Sequence, residues 1–177
     1  EVTRKYISEA EAVIYVCDAV LPLKDSHRDS LRLVLRDFGK LPVTIFAINK
    51  MDEAGTDMTD EEDYNEHAAV KRDTFVQRLD DTLTLTDDER EGLRIVCIAA
   101  DPKGRGLEYW LERREEYERR SHISLLRQEV EQLVGQTTAA ELAEGSGIAV
   151  VRDVLAGIGN DIDITNRRMA DPLMQCR

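Results

Sequence analysis

The sequence predicts an α/β protein in which a parallel sheet with flanking helices is followed by a helical segment. Three apolar runs have the length and the β-branched content of strands that are buried on both faces of a sheet. They lie at residues 12–17, 43–48 and 93–98. A helical pattern follows each run, and three strand-then-helix units in succession favour parallel strands joined by right-handed crossovers.

The helices of the predicted α/β part are recognised by capping residues and by apolar spacing. Asp25 or Ser26 can cap a first helix, which Gly39 would end. A second helix is expected over about 60–79, and a third over about 107–119 behind a loop that contains Pro and Gly. These helices would cover the two faces of the sheet.

Beyond Arg120 the pattern contains helices only. One apolar stripe at helical spacing covers residues 123–134, and a second is expected over residues 142–158. We therefore predict an α/β domain over 1–120 and a helical extension over 121–177.

The charge of the chain is acidic and unevenly distributed. The formal net charge is −12, and residues 52–91 hold 15 Asp and Glu against 4 Lys and Arg. A surface of this kind repels phosphate backbones and anionic lipid head groups. We therefore expect no direct nucleic-acid binding.

The targeting and redox features of the sequence indicate a cytoplasmic chain. No apolar run approaches the ~20 residues of a membrane span, and no secretory signal opens the chain. Cys17 and Cys97 fall inside apolar strands and, with Cys176, lack metal-ligand spacing, so we expect buried thiols in a reducing compartment. Because the first residue is Glu1 rather than Met, we also expect a piece of a longer protein.

The most informative residues follow the second and third strands. Asn49-Lys50-Met51-Asp52 closes the second strand, and Ala99-Ala100-Asp101 closes the third. The carboxyl ends of parallel strands meet at one edge of a sheet, where the ligands of such folds bind. The two loops are therefore predicted to form one pocket.

The side chains of these loops suit guanine, a base that presents an N1 hydrogen, a 2-amino group and a 6-oxo acceptor. The Asp52 carboxylate can accept both donors, and charge-assisted bonds of this kind contribute about 1.5–3 kcal/mol each. Asn49 would contact the base near N7, and the alkyl stem of Lys50 would lie along the ring. Backbone N–H groups of residues 99–101 would bind the 6-oxo group. Met51 has no predicted role.

Structural roles are the alternative for several of these polar residues. Asn49 and Asp52 would in that case only cap a turn after a buried strand, as Asn and Asp commonly do. Asp18, at the end of the first strand, is expected to cap its loop rather than to bind magnesium. The chain's histidines, which lie in polar helical stretches, are predicted to be exposed; they are His27, His67 and His122.

These residues resemble the GTPase domain of the dynamin superfamily, and specifically bacterial dynamin-like proteins of the labile-enterotoxin-output type. The likeness covers roughly residues 5–135, through the segments Tyr6–Ala10, Ile45–Glu53 and Ala99–Gly106. By position, the guanine-specificity motif of that family matches Asn49, Lys50 and Asp52, and its second base loop matches Ala99, Ala100 and Asp101. The third position of that loop is often Lys in GTPases, so Asp101 departs from the pattern and Lys103 is the candidate to replace it.

The resemblance implies a partial P-loop GTPase fold. Residues 1–120 would be the C-terminal half of the GTPase domain, and residues 121–177 the start of a helical neck or stalk. It further implies binding of GTP and GDP, hydrolysis that depends on Mg²⁺ in the complete domain, self-assembly, and membrane remodelling or vesicle-linked secretion. The protein would then be cytoplasmic and peripheral at a membrane where it acts.

The phosphate-binding motif of such domains is not found upstream of Asn49, because no G-x-x-x-x-G-K-[ST] pattern occurs there. We therefore expect the upstream half of the same GTPase domain as a partner, and we predict no GTP hydrolysis by this chain alone. No catalytic and no metal-binding residue is assigned. The alternative function is a non-catalytic helical interaction module with a vestigial nucleotide pocket.

Overall fold

The computed structural model describes residues 2–136 of the chain, with side chains described for residues 6–24 and 26–135. Two compact units are found, one of residues 12–138 and one that contains residues 1–11 and 139–177. The described part of the second unit holds one helix, α1 (Val2–Glu9). The apolar stripe predicted over 142–158 lies outside the described residues, as does Cys176.

The unit of residues 12–138 is built on a parallel sheet with the strand order β1-β2-β3. The strands are β1 (Val13–Asp18), β2 (Thr44–Asn49) and β3 (Arg94–Cys97). In the register, Ile45 of β2 pairs with Ile14 of β1 and with Arg94 of β3. The predicted α/β fold with parallel strands is confirmed. β2 is the middle strand, and all of its residues except Asn49 are buried.

The helices of this unit pack on and around the sheet. They are α2 (Arg28–Arg32), α3 (Glu61–Leu83), α4 (Asp87–Glu91), α5 (Leu107–Leu111), α6 (Arg114–Ser121) and α7 (Ile123–Gln136). A π-helical turn over Leu33–Asp37 continues α2, and short 3₁₀ turns lie at Asp25–His27, Leu41–Val43, Met51–Ala54 and Pro102–Gly104. Within residues 2–136, none of the helices combines the length and the apolar character that crossing a bilayer requires.

Three of the predicted helices differ from the observed ones. The first, α2, follows the N-cap residue His27, which forms no side-chain cap hydrogen bond, so the cap predicted at Asp25 or Ser26 is wrong. The second helix begins as expected, because the Asp60 carboxylate accepts the N–H groups of Glu62 and Asp63 at 3.0 and 3.1 Å, but it continues past residue 79 to Leu83. The single helix predicted over 107–119 is divided into α5 and α6. The division occurs at Arg113, where the backbone leaves the helical region (φ −130°, ψ 51°).

Different helices cover the two faces of the sheet. On one face, α3 packs Phe75 against Phe46 of β2, with both rings fully buried and their centroids 5.0 Å apart. On the other face, α7 packs Leu133 in one cluster with Ile45 and Ala47 of β2. The unit of residues 12–138 therefore includes α7 as well as the sheet, and the domain boundary near residue 120 stays a prediction.

The two described cysteines are buried in this core, as predicted. Burial raises the pKa of Cys17 to about 12 and the pKa of Cys97 to about 11. Because the thiolate is the reactive form of cysteine, both side chains are inert thiols at neutral pH.

Candidate functional site

The loop after β2 turns sharply, and the buried side chain of Met51 holds it against the core. Lys50 adopts the left-handed conformation (φ 67°, ψ 38°), and the turn Met51–Ala54 that follows is closed by Gly55 at φ 92°. Met51, to which the sequence assigns no role, is fully buried, and its N–H donates to the Ile98 carbonyl at 3.2 Å. A left-handed lysine costs about 1–3 kcal/mol, and strain of this kind is concentrated at functional sites.

Two side chains of this loop bind the loop that follows β3. The Asn49 side-chain carbonyl Oδ1 accepts the N–H of Ala100 at 2.8 Å. The Asp52 carboxylate Oδ2 accepts the N–H of Lys103 at 2.7 Å. The structure thus brings together the two loops that the sequence predicts to share a pocket, and it joins them through the two motif residues themselves.

These bonds differ from a local turn cap, which was the alternative for the motif. The acceptors Asn49 and Asp52 each bind an N–H that lies 51 residues further along the chain. Both side chains can still form hydrogen bonds to a ligand. Asn49 keeps its Nδ2 donors, and the second oxygen of the Asp52 carboxylate adds acceptor sites to those left on Oδ2.

The second loop offers fewer free amides than the sequence suggests. The N–H of Ala100 is bound to Asn49, and the N–H of Ala99 donates to the Ser121 carbonyl at 2.9 Å. The N–H of Asp101 donates to none of the described atoms. Of the three amides predicted to bind a 6-oxo group, Asp101 therefore supplies the one that is available for a ligand.

The side chains of Asp101 and Lys103 have separate surroundings. The Asp101 carboxylate Oδ1 accepts the N–H of Gly106 at 2.8 Å and the Nε1–H of Trp110 at 3.1 Å. Lys103 contributes its backbone N–H to Asp52, while its residue is exposed and left-handed (φ 60°). Asp101 thus fixes the shape of its own loop, and Lys103 provides a cation at the loop's exposed side.

Aromatic residues of α5 and α6 support this second loop. Trp110 is 5% exposed, and its ring centroid lies 5.8 Å from that of Tyr117. The Tyr117 hydroxyl donates to the Ala100 carbonyl at 3.1 Å. Sequence reasoning did not identify these supports. Their sequence signal is a pair of aromatic residues seven positions apart, directly after the loop that contains Gly104 and Gly106. One member of the pair, Trp110, is the chain's one tryptophan.

The junction between α6 and α7 is fixed beside the same loops. His122, left-handed at φ 50°, stacks on Tyr64 of α3 with ring centroids 3.7 Å apart, and its Nε2 lies 3.0 Å from the Met58 carbonyl. Tyr64 donates to the Cys97 carbonyl at 2.8 Å, and burial raises the pKa of Tyr64 to about 12. The prediction that all three histidines are exposed holds for His27 only. His122 is half-buried because its ring completes this stack, and His67 is half-buried on α3, where its Nδ1 lies 2.9 Å from the Asp63 carbonyl.

The charged groups around the loop after β2 are paired locally. Lys50 Nζ lies 3.2 Å from Glu53 Oε2, and this hydrogen bond raises the pKa of Lys50. Asp18 Oδ1 accepts the N–H of Val20 at 2.7 Å, which is the loop cap predicted for it. Within the described part of the chain, no group of three or more His, Cys, Asp or Glu side chains is placed to hold a metal ion.

The fold has counterparts among known proteins. Residues 85–169 match the family model of the dynamin-like helical domain. Among solved structures, the LeoA bacterial dynamin GTPase from ETEC matches at 44% sequence identity and a TM-score of 0.77, over 88% of this chain. The chain is similar to part of a bacterial dynamin-like protein. It spans 28% of the length of the LeoA chain.

The match to the dynamin-like helical domain covers more than helices. The matched residues 85–169 include β3 and the loop that Asn49 and Asp52 bind. The resemblance to bacterial dynamin-like proteins expected from the sequence is confirmed. No curated protein matches the chain.

Proposed function

We propose that the loops after β2 and β3 form the guanine-recognition site of a dynamin-like GTPase. The observation that carries the proposal is the pair of hydrogen bonds from Ala100 to Asn49 and from Lys103 to Asp52. They hold the two loops in one fixed relation before any ligand is present. Preorganisation of this kind favours binding because the loops lose less freedom when the ligand arrives.

Each functional group of guanine has a partner in this proposal. The free oxygen of Asp52 and the remaining lone pairs of Oδ2 accept the N1 hydrogen and the 2-amino group. The Asp101 amide donates to the 6-oxo group, and the Asn49 side-chain amide donates to N7. The exposed Lys50 stem covers one face of the ring. Ala100 is small enough for the base to approach the loop backbone closely.

The proposed site should prefer guanine to adenine. Adenine has no hydrogen at N1 and no 2-amino group, so the Asp52 carboxylate would lose two charge-assisted bonds and remain desolvated. Two such bonds at about 1.5–3 kcal/mol each correspond to a preference for guanine of about 10²-fold or more.

The wider function follows from the family. LeoA is described as a bacterial dynamin GTPase, and we propose that this chain supplies the base-recognition part of such an enzyme, which couples GTP hydrolysis to membrane remodelling or vesicle-linked secretion. The other half of the GTPase domain would supply the phosphate contacts and the magnesium site. Further copies of the protein and a membrane surface are the proposed partners.

The test uses guanosine, which carries no phosphate and therefore needs only the base loops. Backbone amide resonances of the full chain would be followed by NMR during titrations with guanosine and with adenosine. We expect guanosine to shift the amides of Ala100, Asp101 and Lys103 with a Kd of about 1 mM, and adenosine to shift none of them. Absence of any shift with guanosine would favour the alternative of a helical interaction module with a vestigial pocket.

The variant Asp52→Asn makes the test specific. An amide at this position presents one donor and one acceptor, which match the 2-oxo group and the N1 hydrogen of xanthine rather than the two donors of guanine. We expect this variant to lose guanosine binding by about 10²-fold and to gain xanthosine binding. Asp88→Asn, the same chemical change at an exposed position of α4, is the matched control and should bind as the unchanged chain does.

A further inference from the structure

A second cleft lies at the start of β3, at the opposite end of that strand from the guanine loops. Its volume is about 570 Å³. α3 contributes Arg72 and Val76, the start of β3 contributes Arg94 and Ile95, and α7 contributes Gln132. β3 is an edge strand of the described sheet, so the cleft opens along a side of the sheet that no other described strand covers.

Arg72 is the unusual residue of this cleft. Its Nε is buried and has no hydrogen-bond partner, and none of the described carboxylates forms an ion pair with it. Burial raises the pKa of the Cys97 thiol, and the charge of Arg72 and a hydrogen bond from its guanidinium offset part of that rise. A thiol is a weak acceptor, however, and it does not neutralise a guanidinium. Arg72 therefore holds a positive charge for which the described structure provides no counter-ion.

The other two arginines of the cleft are already neutralised. Arg90 Nη2 lies 2.8 Å from Asp80, and Arg94 Nη1 lies 3.1 Å from Glu129. Two carboxylates also line the cleft: Glu129, which is held by Arg94, and Glu91, which lies at an exposed position at the end of α4. Neither forms an ion pair with Arg72, so the charge of Arg72 stays uncompensated by the described residues. This is notable in a chain whose formal net charge is −12, because most of its surface repels anions.

We propose that this cleft binds an oxyanion, the carboxylate or phosphate group of a ligand, with the Arg72 guanidinium as its principal partner. Guanidinium presents donors in a planar fork that matches two oxygens of either group. An oxyanion would give the buried Nε of Arg72 the acceptor it lacks. Gln132 supplies a neutral amide that can donate to a further oxygen. This site is independent of the guanine loops and of their proposed function.

The test measures thermal unfolding of the full chain in two anions, with the ionic strength matched by sodium chloride. Pyrophosphate probes a phosphate ligand, and tricarballylate probes a carboxylate ligand. We expect one or both to raise Tm in a saturable way, and the anion that does so identifies the source of the oxyanion. If neither anion raises Tm above the chloride control, the proposal is wrong.

Variants of Arg72 assign the effect to the cleft. Arg72→Met keeps an unbranched apolar side chain but removes the charge, and it should weaken anion binding by about tenfold to a hundredfold. Arg119→Met, at an exposed position of α6, is the matched control and should bind as the unchanged chain does. Anion binding that is equally strong in Arg72→Met would overturn the proposal.

The Tm of Arg72→Met without added anion shows whether Arg72 binds anions or instead stabilises the fold. Removing an uncompensated, partly buried charge should leave the Tm of Arg72→Met equal to or above that of the unchanged chain. A clear loss of Tm in the absence of anion would instead mean that Arg72 stabilises the fold, and would count against the proposal. If Arg72→Met does not fold, Arg72→Lys keeps the charge without the fork and should bind the anion more weakly; unchanged affinity would contradict the assignment.

Discussion

Replacement of Asp101 by Ala tests how the second base loop is held in place. The carboxylate Oδ1 accepts the N–H of Gly106 and the Nε1–H of Trp110, and Trp110 is 5% exposed. A buried indole N–H that loses its acceptor costs about 1–3 kcal/mol, whereas the half-buried Gly106 amide regains water and costs about 0.5 kcal/mol. Because Asp101 itself is exposed, solvent screening reduces the combined cost of the two lost hydrogen bonds, which we expect to be about 2 kcal/mol.

Urea denaturation followed by tryptophan fluorescence measures this change, since Trp110 is the chain's one tryptophan. With a denaturant slope of about 1–3 kcal/mol/M, a loss of about 2 kcal/mol lowers the midpoint by about 1 M. Asp101→Asn keeps an acceptor without the charge and should lower it by about half as much. Asp88→Ala, at an exposed position of α4, is the control. A midpoint for Asp101→Ala equal to that of the control would refute the assigned role of Asp101.

Three further predictions concern strain, acidity and thiol reactivity. Thr84 is β-branched and left-handed (φ 54°) at the end of α3, so Thr84→Gly should raise the free energy of unfolding by about 1 kcal/mol in urea denaturation. The hydrogen bond from Arg36 lowers the pKa of Glu89 from 4.5 to about 2, so its stabilisation is complete above pH 4.5 and is lost as the pH falls toward 2; Glu89→Gln should flatten this part of the stability–pH curve. Cys17 and Cys97, being buried, should resist iodoacetamide at pH 8 and react fully in denaturant, as read by mass spectrometry.

Each of these three predictions can be contradicted by a specific result. A lower midpoint for Thr84→Gly would mean that the threonine side chain, rather than its backbone, matters at that turn. Glu91→Gln, at an exposed neighbouring position, is the control for the acid experiment, and an equal effect of both variants would contradict the role of Arg36. Labelling of Cys17 in the native chain at the denatured rate would contradict its burial.

The fold was predictable because its signals are local. Each strand is a short apolar run, and the strand-then-helix order alone favours a parallel sheet. The break between α5 and α6 was not predictable, since nothing at Arg113 forbids a helix. The break lies between Trp110, which donates to Asp101, and Tyr117, which donates to the Ala100 carbonyl. These are tertiary contacts, which the local sequence does not reveal.

The candidate site was predictable in position but not in detail. Asn49 and Asp52 fall at a strand end, and their spacing is readable from the sequence. Which amide each of them binds depends on how closely the next strand's loop approaches, and this is set by packing between segments that are 51 residues apart in the sequence. For the same reason, the engagement of the Ala99 and Ala100 amides could not be foreseen. His122 appeared exposed because its partner, Tyr64, belongs to a distant helix.

The measurement that tests the central claim most directly is the NMR titration of the full chain with guanosine and adenosine. We predict that guanosine shifts the amides of Ala100, Asp101 and Lys103 with a Kd of about 1 mM, that adenosine shifts none of them, and that Asp52→Asn binds xanthosine in place of guanosine. Equal shifts with guanosine and adenosine, or guanosine binding that survives Asp52→Asn, would contradict the central claim.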